Sequence, residues 1–167
     1  MTAVPILIAD AVTAEINSAA VTIGLPAGIL ARRSYADWDE DFKGLSTTAI
    51  DVVFASANGS AGSLVELESA GFLSYRPMID VAIRKRFEPT DRDADGRLKN
   101  TSIDPLVLLL QSIHEFFVLR RNAVVLTDAI EAKWIEGSVM SWVSQRKLRM
   151  GFFEGVVRIK FDYRKAI

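Results

Sequence analysis

The stretch Asp91-Arg92-Asp93-Ala94-Asp95-Gly96-Arg97-Leu98 is where residue types and spacing come nearest to a metal-binding pattern. Oxygen ligands at the first, third and fifth positions, glycine at the sixth and an apolar residue at the eighth open a calcium loop. The pattern then fails, because the ninth position is Lys99 and the twelfth, where a bidentate glutamate closes the shell, is Ser102. Asp and Gly are equally the residues of a solvated turn between a strand and a helix, and the loop is read as that turn. The single histidine, His114, sits between Ile113 and Phe116 and has no second histidine with which to build a dyad or a metal cluster. There is no cysteine to act as a thiolate nucleophile or zinc ligand. No G-x-S-x-G elbow occurs, and the stretch SANGSAGS lacks the lysine and the spacing of a phosphate-binding loop.

What remains is charge. Asp37, Asp39, Glu40 and Asp41 form an acidic knot around Trp38 and Phe42, with no second carboxylate site across a cleft to make it an acid-base pair. Two basic runs stand against it, Arg84-Lys85-Arg86 and Arg146-Lys147-Leu148-Arg149. They suit phosphate contacts, or the acidic knot of a neighbouring copy. These ten charged residues (Asp37, Asp39, Glu40, Asp41, Arg84, Lys85, Arg86, Arg146, Lys147 and Arg149) are the candidate subunit interface. Trp134, Trp142 and the Phe152-Phe153 pair are candidate aromatic anchors beside it. No catalytic residue, cofactor or metal is assigned, and the chain is expected not to be an enzyme.

The elements that must carry these charges are legible from periodicity. Ile8, Val12 and Ile16 recur at four-residue spacing, which predicts an amphipathic helix over 4–18 with Pro5 in its first turn. Residues 29–35 and 49–55 read as strands, and 58–63 as a loop or hairpin arm. The clearest strand is 72–87, where Tyr75, Ile79, Val81 and Ile83 alternate with Arg76, Asp80, Arg84 and Arg86. Pro77 belongs at an edge, a bulge or the start of pairing. Asp104 and Pro105 predict the N-cap and first position of a helix through Leu106, Leu110, Ile113 and Phe117, ending near Arg120-Arg121. Residues 127–150 give no clear period. In the closing strand Phe153, Val157, Ile159, Phe161 and Tyr163 alternate with Glu154, Arg158, Lys160 and Asp162. This order predicts an α+β fold, a mostly antiparallel sheet with two helices packed on one face. The other face is expected to be rimmed by Arg84, Arg86, Arg158 and Lys160.

At 167 residues the chain suits one domain able to bury a core without disulfides. Twenty basic and 21 acidic residues give a net charge of -1, which excludes a surface adapted throughout to nucleic acid. Asp10 and Glu15 interrupt the opening apolar stretch, so no secretory signal is expected, and no run is long enough to span a membrane. Half the residues are hydrophobic and the mean hydropathy is +0.20, an apolar excess that points to surface buried between subunits.

The opening IADAVTAEINSAA, the strand YRPMIDVAIRKRF, the helix IDPLVLLLQSIHEFF and the closing GVVRIKFDYR together resemble small bacteriophage tail-terminator or tail-completion proteins. The likeness lies in the order of elements across most of the chain and in packing patterns. It carries over no functional residue, and segments 55–71 and 134–150 are extended relative to small members. The resemblance implies a structural virion protein synthesised in the host cytoplasm and forming a ring, usually a hexamer, at the tail-neck junction. Such a ring stops growth of the tail tube and joins it to the head-side connector. Its expected partners are further copies of itself, the tail tube protein and the connector protein, with DNA passing non-specifically through the lumen and no membrane. A head-tail connector subunit and a calcium- or small-ligand-binding module remain alternatives.

Overall fold

A computed structural model describes residues 4–34, 47–54, 64–68, 72–120, 124–127, 130–141 and 143–166. In chain order the elements are α1 (Val4–Ser18), α2 (Ala20–Ile23), β1 (Ala31–Arg33), β2 (Ala49–Phe54), β3 (Leu64–Glu68), β4 (Phe72–Arg76) and β5 (Met78–Arg86). A 3-10 turn, Pro89–Asp91, leads to α3 (Asn100–Arg120), and β6 (Val124–Thr127), β7 (Ile130–Ser141), α4 (Gln145–Arg149) and β8 (Phe152–Ala166) follow.

The protein is α+β, with a mostly antiparallel sheet. Hydrogen-bonded order runs β1-β2-β5-β8-β4-β3, with β7 also on β8 and β6 on β7. Only the β1–β2 pair is parallel among the described residues. The expected strand over 72–87 is present as β4 and β5, which pair with β8 in one continuous register from Phe72↔Ala166 to Arg86↔Phe152. Pro77 interrupts the strand without shifting that register. Its carbonyl accepts the Phe161 N–H at 3.0 Å, and because proline has no N–H the reciprocal bond of the pair is not made.

Strand alternation decides which side is core. Ile79, Val81 and Ile83 of β5 lie on the same face as Ile50 and Val52 of β2 and Phe153, Val157, Ile159 and Phe161 of β8. Ile8, Val12 and Ile16 of α1 and Leu106, Leu110, Ile113 and Phe117 of α3 pack on this face. Each such side chain stabilises the fold by about 1.5–3 kcal/mol when fully buried. The helix over 4–18 has the expected bounds, and the helical stripe read through Phe117 is buried.

α3 begins one turn earlier than Asp104-Pro105 predicts, with Pro105 inside it. The first four amides of a helix have no intrahelical acceptor, so proline as the sixth residue forfeits one bond, that to the Thr101 carbonyl. The Lys99 N–H to the Asp91 carbonyl at 2.8 Å anchors the earlier start. The unassigned stretch 127–150 holds β7, with a register shift between Ile135 and Val139, and α4. That shift interrupts the two-residue period from which a strand is read. The hairpin arm expected at 58–63 lies outside the described residues.

At the sheet's outer edge, Asn17 of α1 acts as a substitute strand. Its Oδ1 accepts the Ala31 N–H at 2.8 Å, and its Nδ2 donates to the Ala31 carbonyl at 3.0 Å. One carboxamide thus satisfies both outward-pointing backbone groups of Ala31, which an edge strand otherwise presents to any passing chain.

Candidate functional site

The face of the sheet turned away from α1 and α3 is ionic. Asp51 and Asp80 each stand in an Ile-Asp-Val triplet, one on β2 and one on β5, and the alternation that buries the flanking residues sends both carboxylates to this second face. Asp51 is fully buried. Its Oδ2 accepts from Nε and Nη2 of Arg84, and its Oδ1 accepts from Nε of Arg32 at 2.8 Å. Asp80 lies directly opposite Arg158, which grips it with two bonds of 2.7 and 2.8 Å. That grip raises the Arg158 guanidinium above its ordinary value, against the opposing effect of burial. Ser74 donates to Asp162 at 3.1 Å, and Lys147 of α4 pairs with Glu154.

Arg84 is therefore not on the rim, as the sequence suggested. It is 4% exposed and bound within its own chain, because Asp51 sits diagonally across from it on the neighbouring strand. The reasoning from sequence missed Asp51 and Asp80. For Asp51 the available signal was a lone carboxylate in the middle of the otherwise apolar stretch AIDVVF, which calls for a buried cation, whereas Asp80 is legible as a polar-face residue but not as the partner of Arg158.

The other candidate cations converge. Arg86 ends β5 opposite Phe152, the Phe87 N–H bonds the Gly151 carbonyl at 2.9 Å, and α4 immediately precedes Gly151. Gly151 turns the chain from α4 into β8 at φ 85°, a conformation natural to glycine. The two basic runs, some 60 residues apart in sequence, thus meet at one end of the sheet. Within them Lys85 faces Asp91 at 3.5 Å and Lys147 is held by Glu154. Arg86, Arg146 and Arg149 are exposed and make no ion pair among the described residues. Residues 85–99 and 145–154 together hold eight of the 20 basic and five of the 21 acidic side chains. This end thus has an excess of three positive charges, and the remainder of the chain an excess of four negative. Asp37, Asp39, Glu40 and Asp41 lie outside the described residues.

In the calcium-like loop the carboxylates of Asp91 and Asp93 are turned to protein donors. Asp93 accepts the amides of Asp95 and Arg97 at 3.0 and 2.8 Å, an Asx turn. Asp91 accepts the Glu88 amide at 2.9 Å and closes a capping box. Burial pushes the Asp91 carboxyl up. The Glu88 amide, the Ser102 hydroxyl and the Lys85 ammonium outweigh that and leave it below the ordinary carboxylate value. A cleft of about 330 Å³ beside this pair is lined by Thr48, Lys85, Asp91, Ser102, Pro105 and Leu106, among others. His114 is half-buried on α3.

Neither protein-family models nor curated proteins give a match to this chain.

Proposed function

We propose that the chain is the ring-forming subunit of a bacteriophage tail terminator, with a structural and not a catalytic role. Six copies would close on the head-proximal end of the tail tube, stop its growth and offer the surface that the head-side connector meets. The observation that supports this best is the architecture. Two helices cover one face of a mostly antiparallel sheet in which β4 and β5 pair with the long β8 in a single register. This is the order of elements on which the resemblance to tail-terminator proteins rests. A closed ring needs unlike surfaces on each copy.

Deleting this chain from a phage that encodes it tests the reading. Tail tubes should overrun their normal length, and full heads should fail to join tails. Tubes of normal length already joined to heads would refute it. Tubes of correct length that lack only the junction would favour a head-tail connector.

A further inference from the structure

We infer that the sheet end carrying Arg86, Arg146 and Arg149 binds the phosphate backbone of duplex DNA without reading its sequence. The inference stands on this surface alone and does not require the ring. Three exposed guanidinium groups are held there on two fixed elements. Arg86 is in the β5–β8 ladder, and Arg146 and Arg149, three residues apart on one side of α4, follow the Ser144 N-cap. The adjacent lysines are already neutralised by Asp91 and Glu154. The local excess of positive charge is thus presented by arginine, whose planar fork suits phosphate oxygens.

An acidic protein surface is the competing occupant, and the composition of the patch disfavours it. A protein interface needs an apolar centre as well as a charged rim. Here Leu148 packs toward the core, and among the described residues Met150 is the one large apolar side chain exposed beside the arginines. A duplex needs no such centre, because its charge repeats every ~1.7 Å along the axis and offers phosphates at many registers.

Fluorescence anisotropy of a labelled 20-base-pair duplex, with purified full-length protein, tests the inference. Three phosphate contacts predict a slope of log K against log salt of roughly -2.7, so affinity should fall on the order of 40-fold between 50 and 200 mM salt. The triple variant Arg86→Gln, Arg146→Gln, Arg149→Gln should lose at least ~10-fold at 50 mM salt and flatten that slope. Lys160→Gln, on the second face away from this end, should bind as the parent does. Circular dichroism establishes that the variants are folded. If the triple variant is not, each single variant should still reduce the slope by about 0.9.

No binding at 50 mM salt would overturn the inference, as would a slope unchanged in the variants. So would a triple variant that binds DNA normally but sediments at a different oligomeric state, since that places an acidic protein surface on the arginines. Tube length in the deletion phage does not enter this measurement, so either proposal can fail alone.

Discussion

Replacing Asp51 by Asn removes the charge from a fully buried carboxylate that accepts from two guanidinium groups. The two are not equal in consequence. The Arg32 side chain is 66% exposed, so its pair is a surface ion pair that contributes about 0–1 kcal/mol. Arg84 is 4% exposed, and a guanidinium cannot shed its proton to escape the cost of burial. Removing one partner of a buried pair costs about 3–5 kcal/mol, so the Arg84 side dominates. At about 2–4 °C per kcal/mol for a chain of this size, the melting temperature should fall by roughly 6–20 °C. Urea unfolding followed by circular dichroism should give the same loss as a lower midpoint at unchanged slope. The double variant Asp51→Leu, Arg84→Met should recover most of it, because apolar replacement of a whole buried pair is often close to neutral. An Asp51→Asn loss under about 1 kcal/mol would refute the premise that Arg84 depends on this carboxylate. A double variant no better than the single would show that the loss is one of packing.

The Asn17 clamp on Ala31 makes two hydrogen bonds, so Asn17→Ala should cost about 1–3 kcal/mol in thermal or urea unfolding. Asn17→Asp should be worse at pH 7 than at pH 3, since only the protonated acid can donate to the Ala31 carbonyl. Equal losses at both pH values would contradict this geometry. The Asp91 carboxyl is lowered in the fold, so its contribution is present above the unfolded value of roughly 3.9. It disappears as pH falls through the lower folded value. Asp91→Asn should therefore be less stable than the parent at pH 6 and equal to it near pH 2, and a difference that persists at pH 2 would count against the capping role.

The parts of the fold that were legible in the sequence are those where one face is dry and the other is not. Ile8, Val12 and Ile16 announced α1, and the alternation through Phe153 and Tyr163 announced β8, because burial against the core fixes the period. The start of α3 differs from the sequence reading, since Asp104-Pro105 is a good helix entry by local chemistry and the earlier start is anchored by the bonds of Lys99 and Ser102 to Asp91. β7 was not found, since its pairing with β8 changes register partway. The candidate interface was legible as charge but not as arrangement. Nothing local distinguishes Arg84, drawn inward by Asp51, from Arg86, left in solvent two residues later. Nor does local sequence reveal that Arg86 and α4 share one end, which depends on the long-range Phe87–Gly151 bond.

β8 lies at the middle of the sheet, in contact with β4, β5 and β7, yet it follows all of them in chain order. A ribosome making this chain releases β2, β5 and β7 before the strand that lies between β5 and β7 exists. Until residues 152–166 have left the exit tunnel, the β5 edge destined for β8 is open and the core face lacks Phe153, Val157, Ile159 and Phe161. Closure then requires pairing between residues some 70–90 apart in sequence, the kind of non-local step that slows folding. The sheet and its core face are consequently completed together and late, so that chains ended before β8 lack a folded sheet. A nonsense mutation anywhere before β8 should thus behave as a null allele and not as a dominant poison.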